Sequence, residues 1–189
     1  MFMKLLGNPT VRAWIAIVGA ATLVLGASYA MVQQSTRLSA DDLPLTTAQV
    51  AKQELRNNSD AKDVVPTLKT NLRTDTSVFM IITDSTQHVL ASSAVLDGQT
   101  PLPPRGVFSF TEQHGSDHFT WEPSPGVRLA TRVTKFESKD SDSGFIITGH
   151  SLAPYEDRIS TYTWIALAGW LAVIAWTYLL ILLPRSRRK

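Results

Sequence analysis

Four histidines are the first residues in this 189-residue chain whose type invites a chemical reading. His114 and His118 stand four apart, the spacing that puts two imidazoles on one helical face for a metal ion. Gly115, Ser116 and Asp117 between them read as a turn, however, and no third ligand follows at a recognisable spacing. The expectation is surface histidines and no metal site. His150 falls where a strand gives way to a helix, a place for a structural or mildly pH-responsive group. Nucleophilic and phosphate-binding signatures are equally thin: there is no nucleophile elbow, P-loop, HExxH or dinucleotide fingerprint. Ser92-Ser93 lies in a strand without a base nearby, and nothing fixes the separation of Asp97 and Glu112 as an acid/base pair. Cysteine is absent, which excludes disulfides and thiol chemistry. No catalytic residue and no cofactor is expected, and the chain reads as a non-enzyme.

The elements that would have to position any chemistry are dominated by two uncharged runs. Ala13 to Thr36 contains no Asp, Glu, Lys, Arg or His, and neither does Ile159 to Pro184. Each exceeds the roughly 20 residues a helix needs to cross the hydrocarbon layer. Apolar residues occur on all faces of both, unlike the one-sided stripe of a soluble surface helix. The mean hydropathy of +0.01 and the net charge of +2 conceal this division. The pI near 9.0 owes much to Arg185-Ser186-Arg187-Arg188-Lys189, directly after the second run. Lys and Arg beside a membrane helix mark its cytoplasmic end and attract anionic headgroups, so the partner implied is a lipid bilayer and not nucleic acid. Lys4 and Arg12 give the first run the same polarity. The expected organisation is a cytoplasmic N-terminus (1–12), a membrane helix (13–33), an extracytoplasmic domain (34–158), a second membrane helix (159–184) and a basic cytoplasmic tail (185–189). The chain is thereby expected in the plasma or inner membrane. Ser28-Tyr29-Ala30 also fits a signal-peptide cleavage site; hydrophobicity continuing through Met31 and Val32 favours an uncleaved anchor. Ala16, Gly19 and Ala20 in one run and Ala168, Gly169 and Ala172 in the other permit close helix packing, hence a homodimer or a membrane partner. Trp164 suits the outer aromatic belt; Trp170 and Trp176 would face lipid or a neighbouring helix.

Between the runs, 38–44 reads as a polar linker, followed by a helix from Thr46 or Thr47 to Asn57. Asn57-Asn58-Ser59-Asp60 ends it. Ser77 to Thr83 is nearly continuous in β-branched and aromatic residues, as in a buried central strand. Asp84 to Gln87 turns the chain into His88–Ser93, completing a hairpin. A short helix is expected over 106–114 and a strand over 118–122. Val127 to Val133 follows, with Val127, Leu129, Thr131 and Val133 on one face and Arg128, Ala130 and Arg132 on the other. Residues 139–143 form a polar hairpin loop, 144–149 the last strand, and Ser151 caps a helix that runs without a breaker into the second apolar run. The fold class is α+β, a single five-stranded antiparallel sheet with an N-terminal helix, flanked by two transmembrane helices.

This order, together with Phe79-Met80-Ile81-Ile82-Thr83-Asp84, His88-Val89-Leu90-Ala91-Ser92-Ser93, Leu96-Asp97-Gly98, Pro125-Gly126-Val127-Arg128 and Gly144 to Gly149, resembles the Cache or PDC (PAS-like) extracytoplasmic sensor domains of bacterial histidine kinases and chemoreceptors. The likeness covers roughly residues 40–158, with Gln87 where glycine is commonest. It implies a sensor that binds a small, anionic ligand or a protein on the concave sheet face. Trp121, Arg128, Arg105 and Asp97 would hold the ligand: an indole face, a guanidinium for a carboxylate, and loop groups to close over it. Core packing competes for Trp121, and an ion pair with Glu122 competes for Arg128. The chain given stops a few residues beyond the second run, so the expectation is that a signalling partner reads it through the membrane helices. The alternative is an assembly subunit whose outer domain is a docking surface without a pocket.

Overall fold

The computed structural model describes residues 9–138 and 142–182; Lys4, the basic run 185–189 and the first three residues of the 139–143 loop lie outside them. In chain order the elements are α1 (Pro9–Arg56), α2 (Ala61–Val64), β1 (Thr70–Asn71), β2 (Phe79–Asp84), β3 (Val89–Ser92), β4 (Ala94–Val95), α3 (Arg105–His114), β5 (Ser116–Ser124), β6 (Val127–Glu137), β7 (Ser143–Ser151) and α4 (Ala153–Leu182). They divide into two compact units, Thr36–Glu156 and the apolar helical segments on either side of it.

The sheet of the central unit is antiparallel, in the order β3-β2-β7-β6-β5. β7, last in sequence, therefore sits in the middle, between the first and fourth of the five strands. Burial explains why: every residue from Gly144 to His150 is buried, and so is every residue from Phe79 to Thr83. Strands covered on both faces need such continuous runs. Alternation along β2, β6 and β7 sends side chains to two separate cores. Phe79, Ile81, Leu129, Val133, Phe145 and Ile147 pack on one face, closed by Leu72, Leu96 and Phe108. Met80, Ile82, Phe136 and Ile146 pack on the other, against Ala48, Ala51 and Leu55 of α1 and Val65. Two glycines in β7 permit close approach. A Cβ on Gly144 would lie 2.0 Å from the Thr83 carbonyl oxygen, and one on Gly149 would lie 2.5 Å from that of Ala130.

Several expectations need correction. No linker interrupts α1 over 38–44: the helix continues through it with Pro44 inside. Proline costs an interior helix about 3 kcal/mol, and contacts with the sheet offset it here. The Pro44 carbonyl accepts a 2.9 Å bond from the buried Thr148 hydroxyl. Asp41 is gripped by both forked nitrogens of Arg132. Thr46 bonds back to the Asp42 carbonyl at 2.8 Å instead of capping a new helix. Ser116 and Asp117, read as a turn, already belong to β5; only Gly115 (φ 82°) turns. A small parallel pair, β1 with β4, was not foreseen. The helix end at Arg56 and the helix over 105–114 agree with the sequence reading.

The flanking unit holds two helical stretches long and apolar enough to cross a membrane, Pro9–Ser35 (27 residues) and Ala153–Leu180 (28 residues). At about 1.5 Å per residue each spans about 40 Å. Their faces are not equivalent. Val11, Trp14, Val18, Ala21, Leu25 and Tyr29 are half-buried while residues between them are exposed. Ile159, Ala166, Trp170, Val173 and Thr177 repeat the pattern on α4. Steps of three and four along α1, and of three, four and seven along α4, describe a seam of the 3.5-residue kind. Of the small residues, Ala16, Gly19, Ala20, Ala168 and Ala172 are exposed and Gly169 is half-buried.

Candidate functional site

The four residues expected to hold a ligand are not brought together. Trp121 pairs with Leu129 in register and is 7% exposed, filling the core on the α3 side of the sheet. Arg128, one residue before Leu129, faces the opposite side of β6. Its guanidinium forms an ion pair with Glu156, not with Glu122, whose carboxylate accepts the Gly126 N–H at 3.0 Å. Arg105 lies exposed at the first turn of α3. Phe108 of that helix meets Phe145 edge-on at 5.1 Å, so the α3 side of the sheet is occupied by the chain's own rings. The α1 side is filled in the same way by Ala48, Ala51 and Leu55.

Asp97 belongs to a different constellation. Leu96 and Gln99 exchange backbone bonds of 2.8 and 3.0 Å across Asp97 (φ 51°) and Gly98 (φ 82°). Positive φ at both central residues is the signature of a type I′ turn, and Asp-Gly is among its preferred pairs. The turn displays the Asp97 carboxylate to Arg73, which binds it through Nε at 2.8 Å and an outer nitrogen at 2.7 Å. The same outer nitrogen donates to Ser124 Oγ at 3.0 Å. The Arg73 hydrogen bond, then its charge, hold Asp97 below the ordinary carboxylate range, and the reciprocal bond raises Arg73. Sequence reasoning missed Arg73. The signal was Asn71-Leu72-Arg73-Thr74-Asp75, in which Asp75 caps the Asn71 N–H at 2.8 Å and Asn71 that of Arg73 at 3.0 Å.

Two further charged groups are set by turns and edges. Asp84 accepts from the Thr86 hydroxyl at 2.7 Å and the His88 N–H at 2.9 Å, bonds that lower its pKa. This closes the β2–β3 turn around Gln87, whose φ of 70° explains why glycine would also serve there. Lys135 lies between Glu112 at 2.8 Å and Glu137 at 3.2 Å, and bonding to Glu112, then Glu137, raises its pKa. Lys135 also lines an open hollow of about 520 Å³ with Lys52, Arg56, Gly115, Phe136, Glu137 and Ser138. Lys52 and Arg56 also border a second hollow, of about 470 Å³, with Gln49, Gln53 and Asn57. Both border the exposed polar side of α1.

The histidines do not converge. His114 Nδ1 meets the Phe110 carbonyl at 2.9 Å and its ring stacks on Phe110, whereas His118 lies in β5. Buried His150 meets Tyr155 edge-on at 5.3 Å. Among the described residues no three His, Asp or Glu side chains are grouped to hold a metal ion. On the α3 side of the domain, the hydroxyls of Thr83, Thr111 and Thr131 are buried without a hydrogen-bond partner. No family model matches this chain, and neither does any curated protein or solved structure.

Proposed function

We propose that this chain is a two-pass protein of a bacterial inner membrane, with both termini in the cytoplasm and a Cache/PAS-like domain outside. In this reading it is a non-enzymatic, sensor-like accessory: the outer domain receives a partner, and a second membrane protein reads the result through the membrane helices. The carrying observation is the bracketing of a five-stranded antiparallel α+β domain by two apolar helices, the second beginning two residues after the central strand β7. Ser151 caps that helix by accepting the Ala153 N–H at 3.2 Å, so strand and helix join without a loop.

Between a small ligand and a protein as the thing received, the filled sheet faces favour a protein. Trp121 is committed to the core, Arg128 to Glu156 and Asp97 to Arg73. The polar side of α1 offers Gln49, Lys52, Gln53 and Arg56 to the surface instead. The test uses the full chain in detergent micelles, screened by thermal shift against small carboxylates and anions. A photo-crosslinking residue at Gln53, in membranes, supplies the second arm. The expected result is no saturable thermal shift and one discrete crosslinked species. A saturable shift with a carboxylate that Arg128→Ala removes would instead restore the small-ligand reading.

A further inference from the structure

Among the described residues, Trp14, Trp170 and Tyr29 each form a hydrogen bond with a threonine of the opposite apolar helix. Trp14 Nε1 donates to Thr177 Oγ1 at 2.9 Å, Trp170 Nε1 donates to Thr22 Oγ1 at 2.8 Å, and Tyr29 meets Thr163 at 2.9 Å. The residues concerned follow one another at intervals of eight and seven on α1, and seven and seven on α4, running in opposite directions. We propose that these rungs are a register lock: they fix the two membrane helices of one chain as an antiparallel hairpin that cannot slide. The proposal rests on the membrane reading above.

Each rung is chemically complete. Thr22, Thr163 and Thr177 donate their own hydroxyl protons backwards to the carbonyls of Val18, Ile159 and Val173, at 2.8, 2.8 and 2.7 Å. Each oxygen is then left with a lone pair aimed at the other helix. Because Thr163 is already donating to Ile159, Tyr29 is the donor in its rung, and it accepts in turn from Gln33 Nε2 at 2.8 Å. Indole N–H groups have no water to turn to in hydrocarbon, so a rung once broken leaves its donor unsatisfied. Rungs lie roughly 11 Å apart along the helix, whereas the smallest slip that restores helix packing is one turn, about 5.4 Å. A slip of one turn leaves every donor between two acceptors. All three bonds fail together and none is replaced. The ladder therefore forbids a piston-like displacement of one helix past the other, and leaves rotation or joint tilting of the pair as its available movements. A membrane partner then meets the outward faces, where Trp164 and Trp176 stand 68% and 65% exposed.

The chain's lack of cysteine makes disulfide trapping a direct test. The ladder's register brings Val18 opposite Val173, and leaves Ala166 two turns away. Val18→Cys/Val173→Cys and Val18→Cys/Ala166→Cys are oxidised in the full chain in native membranes. The expected result is an intrachain disulfide in the first pair, formed about tenfold faster than in the second. Replacing the threonines (Thr22→Val, Thr163→Val, Thr177→Val) brings the two rates together, since bonds of this kind multiply to about that factor in bilayers. Serine at the same three positions retains the preference. Equal rates in the parent, a product of twice the chain mass, or a preference that survives the valine triple would each overturn the lock. Alkaline carbonate extraction of the same membranes separates the two claims. Release of the chain removes the membrane reading, whereas retention with failed trapping removes only the lock.

Discussion

Six threonines divide evenly between the central domain and the apolar helices, and they do opposite things. Thr83, Thr111 and Thr131 are buried beside the domain core with no partner for their hydroxyls. Thr22, Thr163 and Thr177 each donate to their own helix and accept from an aromatic residue of the other helix. On the proposed membrane reading, the difference follows from the medium. In water, burying Phe79, Ile81 or Ile147 is itself the driving force, so the domain tolerates a few unsatisfied hydroxyls. In lipid the tails are as apolar as leucine, and packing apolar faces together gains little. The helix pair is therefore held by directional bonds placed along its seam. Apolar packing stabilises one region, and hydrogen bonds select the geometry of the other.

That contrast can be broken or sharpened by substitution, read as unfolding of the full chain in mild detergent by urea and circular dichroism. The largest effect is expected from Phe79→Ala, which empties a fully buried site in the domain core. It should cost about 3–5 kcal/mol; a loss under about 1 kcal/mol would mean that apolar packing is not what holds the sheet. Gly144→Ala comes next, at roughly 2–3 kcal/mol, because its Cβ would strike the Thr83 carbonyl and force β2 from β7. Thr83→Val has the reverse sign. An isosteric methyl in place of an unpartnered hydroxyl should leave stability unchanged or raise it by about 1 kcal/mol, whereas the same exchange at Thr22, Thr163 and Thr177 loosens the helix register.

Smallest of the four is the dependence on pH. Asp97 and Asp84 have lowered pKa values in the folded chain, so their contribution is present above the ordinary carboxylate value of about 4 and disappears as pH falls through the folded values. Lys135 is raised, so its contribution is full below its ordinary range and is lost as pH rises through the folded value. Asp97→Asn should flatten the acid limb of the melting temperature against pH. These groups are ion pairs or turn caps at or near the surface, and a steep acid limb that survives the substitution would point to other carboxylates.

The strands were legible because their side-chain pattern is local. Alternation from Val127 to Val133 matches the burial of β6 residue by residue, and Phe79 to Thr83 reads as a doubly covered strand because it is one. The stretch 38–44 was not legible, since Pro44 is held by Thr148, 104 residues away, and Asp41 by Arg132, 91 residues away. The partner of Arg128 was missed for the same reason: the hairpin neighbour Glu122 is engaged by Gly126, and Glu156 arrives from the start of α4. The candidate ligand residues were chosen by chemical type, which carries no information about which face of a strand they occupy. Trp121 and Arg128 therefore came to lie on opposite sides. In the apolar runs the seam was hidden because hydrophobicity is uniform around each helix. Among the described residues, the polar atoms of Trp14, Thr22, Tyr29, Thr163, Trp170 and Thr177 mark the facing sides.

The central claim, a two-pass chain with its sheet outside, is tested most directly by labelling single cysteines in intact cells with a membrane-impermeant maleimide. Gln99→Cys places the thiol on the exposed turn beside Asp97, and Ser186→Cys places it in the basic run after the second apolar helix. Labelling of the first in intact cells, and of the second only after the membrane is opened, is the predicted result. Labelling of Gln99→Cys only after lysis would contradict the account.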